Sequence, residues 1–210
     1  MTKNKDRNYT MRPMSIGDLD TLSHWFEHLE DLSLFDRNMP LPLNSDDLRK
    51  AWKKSLRGAI SGKSCWFGIS DADGELVGII GLDDINYVHG DGVFAFYLDE
   101  SVRRKGIGIR AAAMLIDIAF GQLRLNRITS YFRSDNEATK ALTNTLRFAQ
   151  EGVIRQGWFA GGKHHDVIVI GLLASDWANS CDKLRDALAD GPKIKLGRSC
   201  WPEIKGPNPK

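Results

Sequence analysis

The densest chemistry in the chain lies in Arg103-Arg104-Lys105-Gly106-Ile107-Gly108. Positive side chains and two glycines stand directly before an apolar run that reads as a helix from Ile109 to about Phe120. Glycine lets backbone approach a ligand closely. A helix starting there presents unpaired N–H groups and the positive end of its dipole. Arginine and lysine add charge-assisted hydrogen bonds to phosphate oxygens. The chemistry these residues suit is the holding of a pyrophosphate.

Other strings compete for attention. Gly106-Ile107-Gly108-Ile109-Arg110-Ala111 matches the dinucleotide pattern G-x-G-x-x-G/A. That pattern follows an apolar strand in a βαβ unit, whereas Ser-Val-Arg-Arg-Lys precedes it here, and no acidic residue closes a strand about 20 residues on. Gly58 to Ser64 is one residue short of a nucleotide P-loop and follows a helix, so it reads as a helix C-terminal glycine turn. His24-Trp25-Phe26-Glu27-His28 matches H-x-x-E-H, a zinc-hydrolase string. Trp25 and Phe26 belong to an apolar helical stripe and no third ligand motif accompanies them, so no metal is expected.

Positioning these residues requires a mixed α/β architecture. Tyr9–Met14 reads as a strand. A helix follows from Ser15–Asp18 to about Leu29, with Leu19, Leu22, Trp25, Phe26 and Leu29 at helical spacing. Asp31–Asn44, with Pro40 and Pro42, reads as a loop, and a second helix covers about Asp47–Ile60. Cys65–Ser70, Leu76–Leu82 and Val93–Leu98 read as hairpin-connected strands, with turns at Asp73-Gly74 and His89-Gly90-Asp91-Gly92. After the glycine loop come a long helix, a strand at Asn126–Phe132 and a helix at Asn136–Leu146. Two strands, Gly152–Phe159 and His165–Leu173, flank a Gly161-Gly162 turn, and a last helix runs to about Leu188. The uneven spacing of helices predicts a mixed, mostly antiparallel sheet flanked by helices, with a C-terminal helix and an extended tail.

The 210 residues suffice for one domain with its own core, and 42% hydrophobic with 27% charged residues argue against wholesale disorder. The expected organisation is a lead-in at 1–8, a domain at 9–177, and the helix end with a basic, proline-rich tail at 178–210. The last twenty residues carry a net +4 and the rest −2, so the body is not a basic nucleic-acid binder. No apolar run is long enough to span a membrane, and MTKNKDRNYT has no apolar segment of a secretory signal. Cys65, Cys181 and Cys200 are odd in number and lack metal-ligand spacing, which points to a reduced, cytoplasmic protein.

The pattern Arg103-x-x-Gly106-x-Gly108 resembles the acetyl-CoA pyrophosphate loop of the GNAT acetyltransferase superfamily. Asn136 to Phe148, continuing to Gly152, is similar to that family's N-x-x-S/A-x-x-L-x-x-x-G-F segment. The element order is also the family's, and the Gly161-Gly162-Lys163-His164-His165-Asp166 region resembles the branch of ribosomal-protein N-terminal and spermidine-type acetyltransferases. The resemblance spans about residues 9–177. It implies an acetyl-CoA-dependent N-acetyltransferase that acts by direct attack of an amine in a ternary complex. The acceptor is a small amine or a protein N-terminus, and a homodimer is in keeping with such enzymes. The pantetheine arm would add to main-chain groups of Phe96, Tyr97 and Leu98. The pyrophosphate would sit on N–H groups of Arg104, Lys105, Gly106, Ile107 and Gly108, with Arg103 at the loop's first position. Asn136 would contact the pantetheine side, and Thr139 would lie near the departing thiolate.

The chain departs from its relatives where they carry acid/base groups. Val93 stands where many have Glu, Thr143 where many have Tyr, and Arg147 where Gly precedes Phe148. These gaps motivate an alternative, a non-catalytic acyl-CoA-binding or regulatory module. Asp91 and His89, in the turn before the central strand, are the expected proton-handling residues. Asp83, Asp84, His164 and His165 are further candidates, and a water chain with no dedicated base is equally open. Phe35, Met39 and Leu41 are expected to help form the acceptor pocket.

Overall fold

The computed structural model describes residues 8–39 and 41–203; residues 1–7 of the expected lead-in, Pro40, and tail residues 204–210 lie outside them. The elements are β1 (Asn8–Pro13), α1 (Asp18–Trp25), α2 (Leu29–Phe35), α3 (Ser45–Ser61), β2 (Cys65–Ser70), β3 (Leu76–Asn86) and β4 (Asp91–Leu98). A short 3-10 turn (Glu100–Val102) leads to α4 (Ile107–Gly121). Then come β5 (Arg127–Arg133), α5 (Glu137–Thr145), β6 (Ala149–Ala160), β7 (Lys163–Leu173), α6 (Ala174–Ala187), β8 (Lys193–Leu196) and β9 (Ser199–Trp201).

The strands form one sheet in the order β6-β7-β5-β4-β3-β2-β1-β8-β9. Only β4–β5 and β1–β8 pair in parallel. The alternation of each strand sends side chains to two faces. On one face, Ile80, Leu82, Phe94 and Ile128 pack against α4 and α6. On the other, Trp66, Ile79 and Tyr97 pack against Leu19, Leu22, Phe26, Leu32 and Trp52 of the α1–α3 layer.

The first helix is shorter than its apolar spacing suggests. It ends at Trp25, and His28 in an extended conformation turns the chain into a separate α2. The break lets Phe26 and Leu32 bury together while Leu29 is left 55% exposed. The start of the stretch expected to be loop, Asp31–Phe35, is therefore helical. The H-x-x-E-H string is split by the same break. His24 lies on α1, ion-paired with Glu27 at 3.2 Å, and His28 caps α2, so the two imidazoles do not share a helix face. Among the described residues no cluster of His, Cys, Asp or Glu is arranged to hold a metal ion.

The near-P-loop is the C-terminus of α3, where Gly62 takes a left-handed φ of 70° and its N–H bonds to Gly58 O. The strand expected to end at Leu82 continues to Asn86 through an irregularity after Asp83. The described tail is a further departure. β8 pairs with β1 from Asn8↔Lys193 to Thr10↔Lys195, and β9 brings Trp201 to 0% exposure in the main core. A boundary at 177 falls inside α6, and residues 193–201 complete the sheet. No helix among the described residues is long and apolar enough to cross a membrane.

Candidate active site

β4 leads into the glycine loop and also forms one side of a gap in the sheet. β4 and β5 are paired only from Asp91↔Arg127 to Val93↔Thr129. Beyond that point β5 stays with β7 to Arg133↔Val167, and β4 stays with β3 to Leu98↔Gly78. Ser130 Oγ donates to Phe94 O at 2.8 Å where the two strands part. Asp99 N–H donates to Val77 O at 3.0 Å, so the main-chain groups of 95, 97 and 99 face β3. Those of 94, 96 and 98 consequently face the gap. Leu98 O is taken by Arg103 Nε at 2.9 Å, which leaves both main-chain groups of Phe96 and the N–H of Leu98 along the open edge.

Tyr97 is thereby corrected as a main-chain partner. The register commits its peptide groups to Ile79, and its ring joins Trp25, Phe26 and Phe35 on the opposite layer, with centroids 5.3, 5.2 and 6.1 Å away.

The loop beyond β4 has the shape of an anion cradle. Arg104 (φ 61°) and Gly106 (φ 75°) adopt left-handed conformations, and α4 begins at Ile107 with no side-chain cap. Such an alternation gathers successive N–H groups on one side, next to the helix's own unpaired donors. Gly108 packs so tightly on β4 that an added Cβ would lie 2.9 Å from Leu98 Cδ1.

Arg103 does not aim its side chain into this cradle. Its guanidinium donates to Asp31 (2.7 Å) and Tyr97 Oη (3.1 Å) and lies over the Tyr97 ring, 5.3 Å from the centroid. It braces α2 against β4. Arg104 is exposed at the turn, and Lys105 Nζ donates to Ser101 O.

Arg110 is a supporting residue that sequence reasoning missed. It is 3% exposed, and its guanidinium bonds Gly106 O (2.9 Å), Leu188 O (2.8 Å) and Asp190 O (2.7 Å). It ties the loop to the end of α6, and burial pushes its pKa below the usual arginine value. The bulky cation within a glycine motif was the available signal, but its partners lie about eighty residues away in the chain.

Asn136 is the N-cap of α5, its Oδ1 accepting from Thr139 N–H at 3.0 Å. Thr139 is half-buried and offers its carbonyl to Thr143 Oγ1 at 2.9 Å. Thr143 is 2% exposed and spends its hydroxyl on the carbonyls of Thr139 and Lys140. Arg147 keeps a left-handed φ of 68° without the glycine that suits it.

Across β4 from the loop lies a cleft of about 650 Å³. Phe35 and Met39 close one side, Trp52 and Ser55 of α3 another, and Trp66, Asp83, Val93 and Ala95 line the sheet beneath. Trp52 stacks parallel to Phe35 at 6.2 Å and meets Trp66 edge-on at 4.8 Å. Asp36, Asp83 and Asp84 bring carboxylates to this cleft. Asp83 Oδ2 accepts from Trp66 Nε1 (3.1 Å) and Ser55 Oγ (3.4 Å). Burial pushes its carboxyl above the usual range, outweighing those hydrogen bonds. Leu41 is 64% exposed and does not line the cleft.

His89 and Asp91 do not reach this place. His89 is exposed in the β3–β4 turn, and Asp91 opens β4 beside Arg127. Asp91 precedes Phe94, where the gap opens, by three residues, about 10 Å of strand. The assignment of proton handling to these two residues is corrected accordingly. His165 is buried against Asp135 (3.4 Å) and His164 lies against Phe159 (5.0 Å between rings), both outside the cleft.

Residues 8–149 match the model of the acetyltransferase (GNAT) domain family. A Bacillus subtilis protein with the provisional name of ribosomal N-acetyltransferase is 32% identical over 105 residues, which is 50% of this chain and 57% of that protein. Spermidine N(1)-acetyltransferase of Vibrio cholerae is 24% identical over 181 residues, 81% of this chain and 95% of that enzyme. The crystal structure of a Vibrio cholerae spermidine N-acetyltransferase in complex with CoA and spermine superposes with a TM-score of 0.73 at 23% identity. It covers 81% of this chain and 98% of that one, which shows a shared fold. With the open β4 edge and the glycine cradle in place, the chain belongs to the GNAT acetyltransferase family and is an N-acetyltransferase, moving an acetyl group from acetyl-CoA to an amine.

Proposed function

We propose that the acceptor is a cationic primary amine on a slender stem, a polyamine-like small molecule or the first residue of a protein, bound in the cleft between α2, α3 and the sheet. The observation that carries this reading is the lining of the cleft, which has aromatic side chains from Phe35, Trp52 and Trp66 and sets the three carboxylates of Asp36, Asp83 and Asp84 against one cation, Arg37. Aromatic faces and carboxylates both attract ammonium groups.

On the other side of β4, the residues fit the cosubstrate. Phe96 and the Leu98 N–H offer hydrogen bonds of the kind an added strand makes. Arg104 to Gly108 and the uncapped start of α4 suit its pyrophosphate. Asn136 is close in sequence to the gap's far wall and orients α5 there, with Thr139 on the first turn. When bound, acetyl-CoA supplies the thioester. The main chain of β4 orients it, and the cleft aligns the amine.

The test combines thermal unfolding and an amine screen. Acetyl-CoA and CoA at about 100 times their Kd should each stabilise the protein by about 2.7 kcal/mol, with no shift from NAD or NADP. Under saturating acetyl-CoA, diamines, polyamines and short peptides with free N-termini should be turned over, and neutral alcohols should not. Turnover restricted to anionic amines would refute the acceptor reading.

A further inference from the structure

We infer that Asp83 is the catalytic residue that takes the proton from the attacking amine. The inference rests on the reading that the cleft holds the acceptor, and it assigns a role that the loss of both usual acid/base positions leaves vacant. Asp83 pairs with Val93 across the β3–β4 ladder. Directly opposed residues project from the same face, with Cβ atoms about 5 Å apart. The carboxylate therefore stands beside the point where β4 leaves β5, one residue before the strands part at Phe94.

Its orientation is fixed on one oxygen only. Trp66 Nε1 and Ser55 Oγ both donate to Oδ2, and Oδ1 makes no hydrogen bond among the described residues. Lys54 of α3 favours the ionised form and Asp84 next to it on β3 opposes it, while Asp36 and Arg37, from the stretch after α2, line the same cleft. Cys65 of β2, whose thiol is pushed up to about 11 by burial, stays neutral near neutral pH. Burial raises the Asp83 carboxyl, which moves it toward the range useful to a base.

The competing groups are placed differently. Asp84 is exposed, in a left-handed kink at φ 49°, and Asp36 Oδ1 is used by Asn38 N–H at 2.8 Å. His165 faces Asp135 outside the cleft.

The step balances as follows. The acceptor enters as an ammonium ion, and Asp83 accepts one of its protons. The freed lone pair forms the N–C bond to the acetyl carbon while the C–S bond breaks. The second proton on nitrogen goes to the departing sulfur, so the products are the amide, a thiol and a protonated Asp83, which releases its proton to solvent.

The experiment is Asp83→Asn in the full chain, assayed with an acceptor from the amine screen. Asn keeps an acceptor for Trp66 Nε1 and removes the base. The expected result is a fall in kcat of about 100-fold or more, loss of the acidic limb of the pH–kcat profile, and an acetyl-CoA Kd by calorimetry that is unchanged. Thermal stability should be equal or higher. A carboxyl whose folded pKa lies above its unfolded value destabilises the protein once pH rises through the folded pKa, and Asn removes that cost. Adding Val93→Glu to Asp83→Asn, which returns a carboxylate to the same face, should restore part of the turnover. Retention of turnover with the acidic limb intact would overturn the assignment alone. Parallel loss of acetyl-CoA affinity and turnover would make Asp83 structural and overturn it too. Failure of the unsubstituted chain to bind acetyl-CoA would overturn the functional reading, and this assignment with it.

Discussion

Gly106→Ala tests how the glycine loop before α4 is held. Gly106 has φ 75°, where an L-residue costs about 1–2 kcal/mol. The stiffer unfolded chain returns about 0.4–1 kcal/mol of that. The new Cβ would also lie 2.7 Å from Arg110 Nη1. Arg110 has little freedom to move aside, since its other guanidinium nitrogen is pinned by Leu188 O and Asp190 O in a buried site. Loss of its hydrogen bond to Gly106 O adds about 1.5–3 kcal/mol, the range for bonds to a charged group. The sum is a destabilisation of about 1.5–4.5 kcal/mol.

Gly161 supplies the control, with φ 57° and nothing within 4 Å of an added Cβ. Gly161→Ala should cost only the conformational part, about 1 kcal/mol. Urea unfolding of both variants without ligand measures the difference. Calorimetry should in addition show acetyl-CoA bound at least about tenfold more weakly by Gly106→Ala, the equivalent of one displaced hydrogen bond. Equal destabilisation of the two variants would refute the idea that Arg110 latches the loop.

Two further outcomes are expected. Trp201→Ala should destabilise by about 3–5 kcal/mol in urea unfolding, because a fully buried indole in the main core leaves a large cavity; a loss below about 1 kcal/mol would detach the tail from the core. His89→Ala and Asp91→Asn should leave kcat within about twofold of the parent in steady-state assays, since Asp91 lies about 10 Å of strand before Phe94, where β4 and β5 part, and His89 lies in the turn before it.

The loop was legible because its signals are local. The glycines, the preceding positive charges and the start of α4 are contiguous, and the conformations they need, at Gly106 in particular, follow from residue type. The order of helices and strands was legible for the same reason, since apolar periodicity is written within each element. The split of α1 from α2 was not. Spacing placed Leu29 on the first helix's stripe, and only packing against the sheet decided that Phe26 and Leu32 go inside while Leu29 stays out.

The cleft depends on register. The sequence offered six acidic or imidazole candidates without ranking them by distance. Pairing of Asp83 with Val93 put one carboxylate in the cleft, across β4 from the β4–β5 gap and level with the last paired residue, and left His89 and Asp91 at the far end of the strand. Because side chains alternate with a period of two, a slip of one residue would have turned Asp83 to the opposite face.

The sequence by itself therefore determined the glycine loop that opens α4, the mixed fold and the kinship that implies acetyl transfer, all carried by residues close together in the chain. The tertiary structure decided that Arg103 braces α2 instead of facing the cradle and that Arg110 anchors the loop to α6. It also decided that residues 193–201 complete the sheet and that Asp83 lines the cleft beside α3. Each of these rests on contacts between segments distant in sequence, whose partners are selected by burial and strand register.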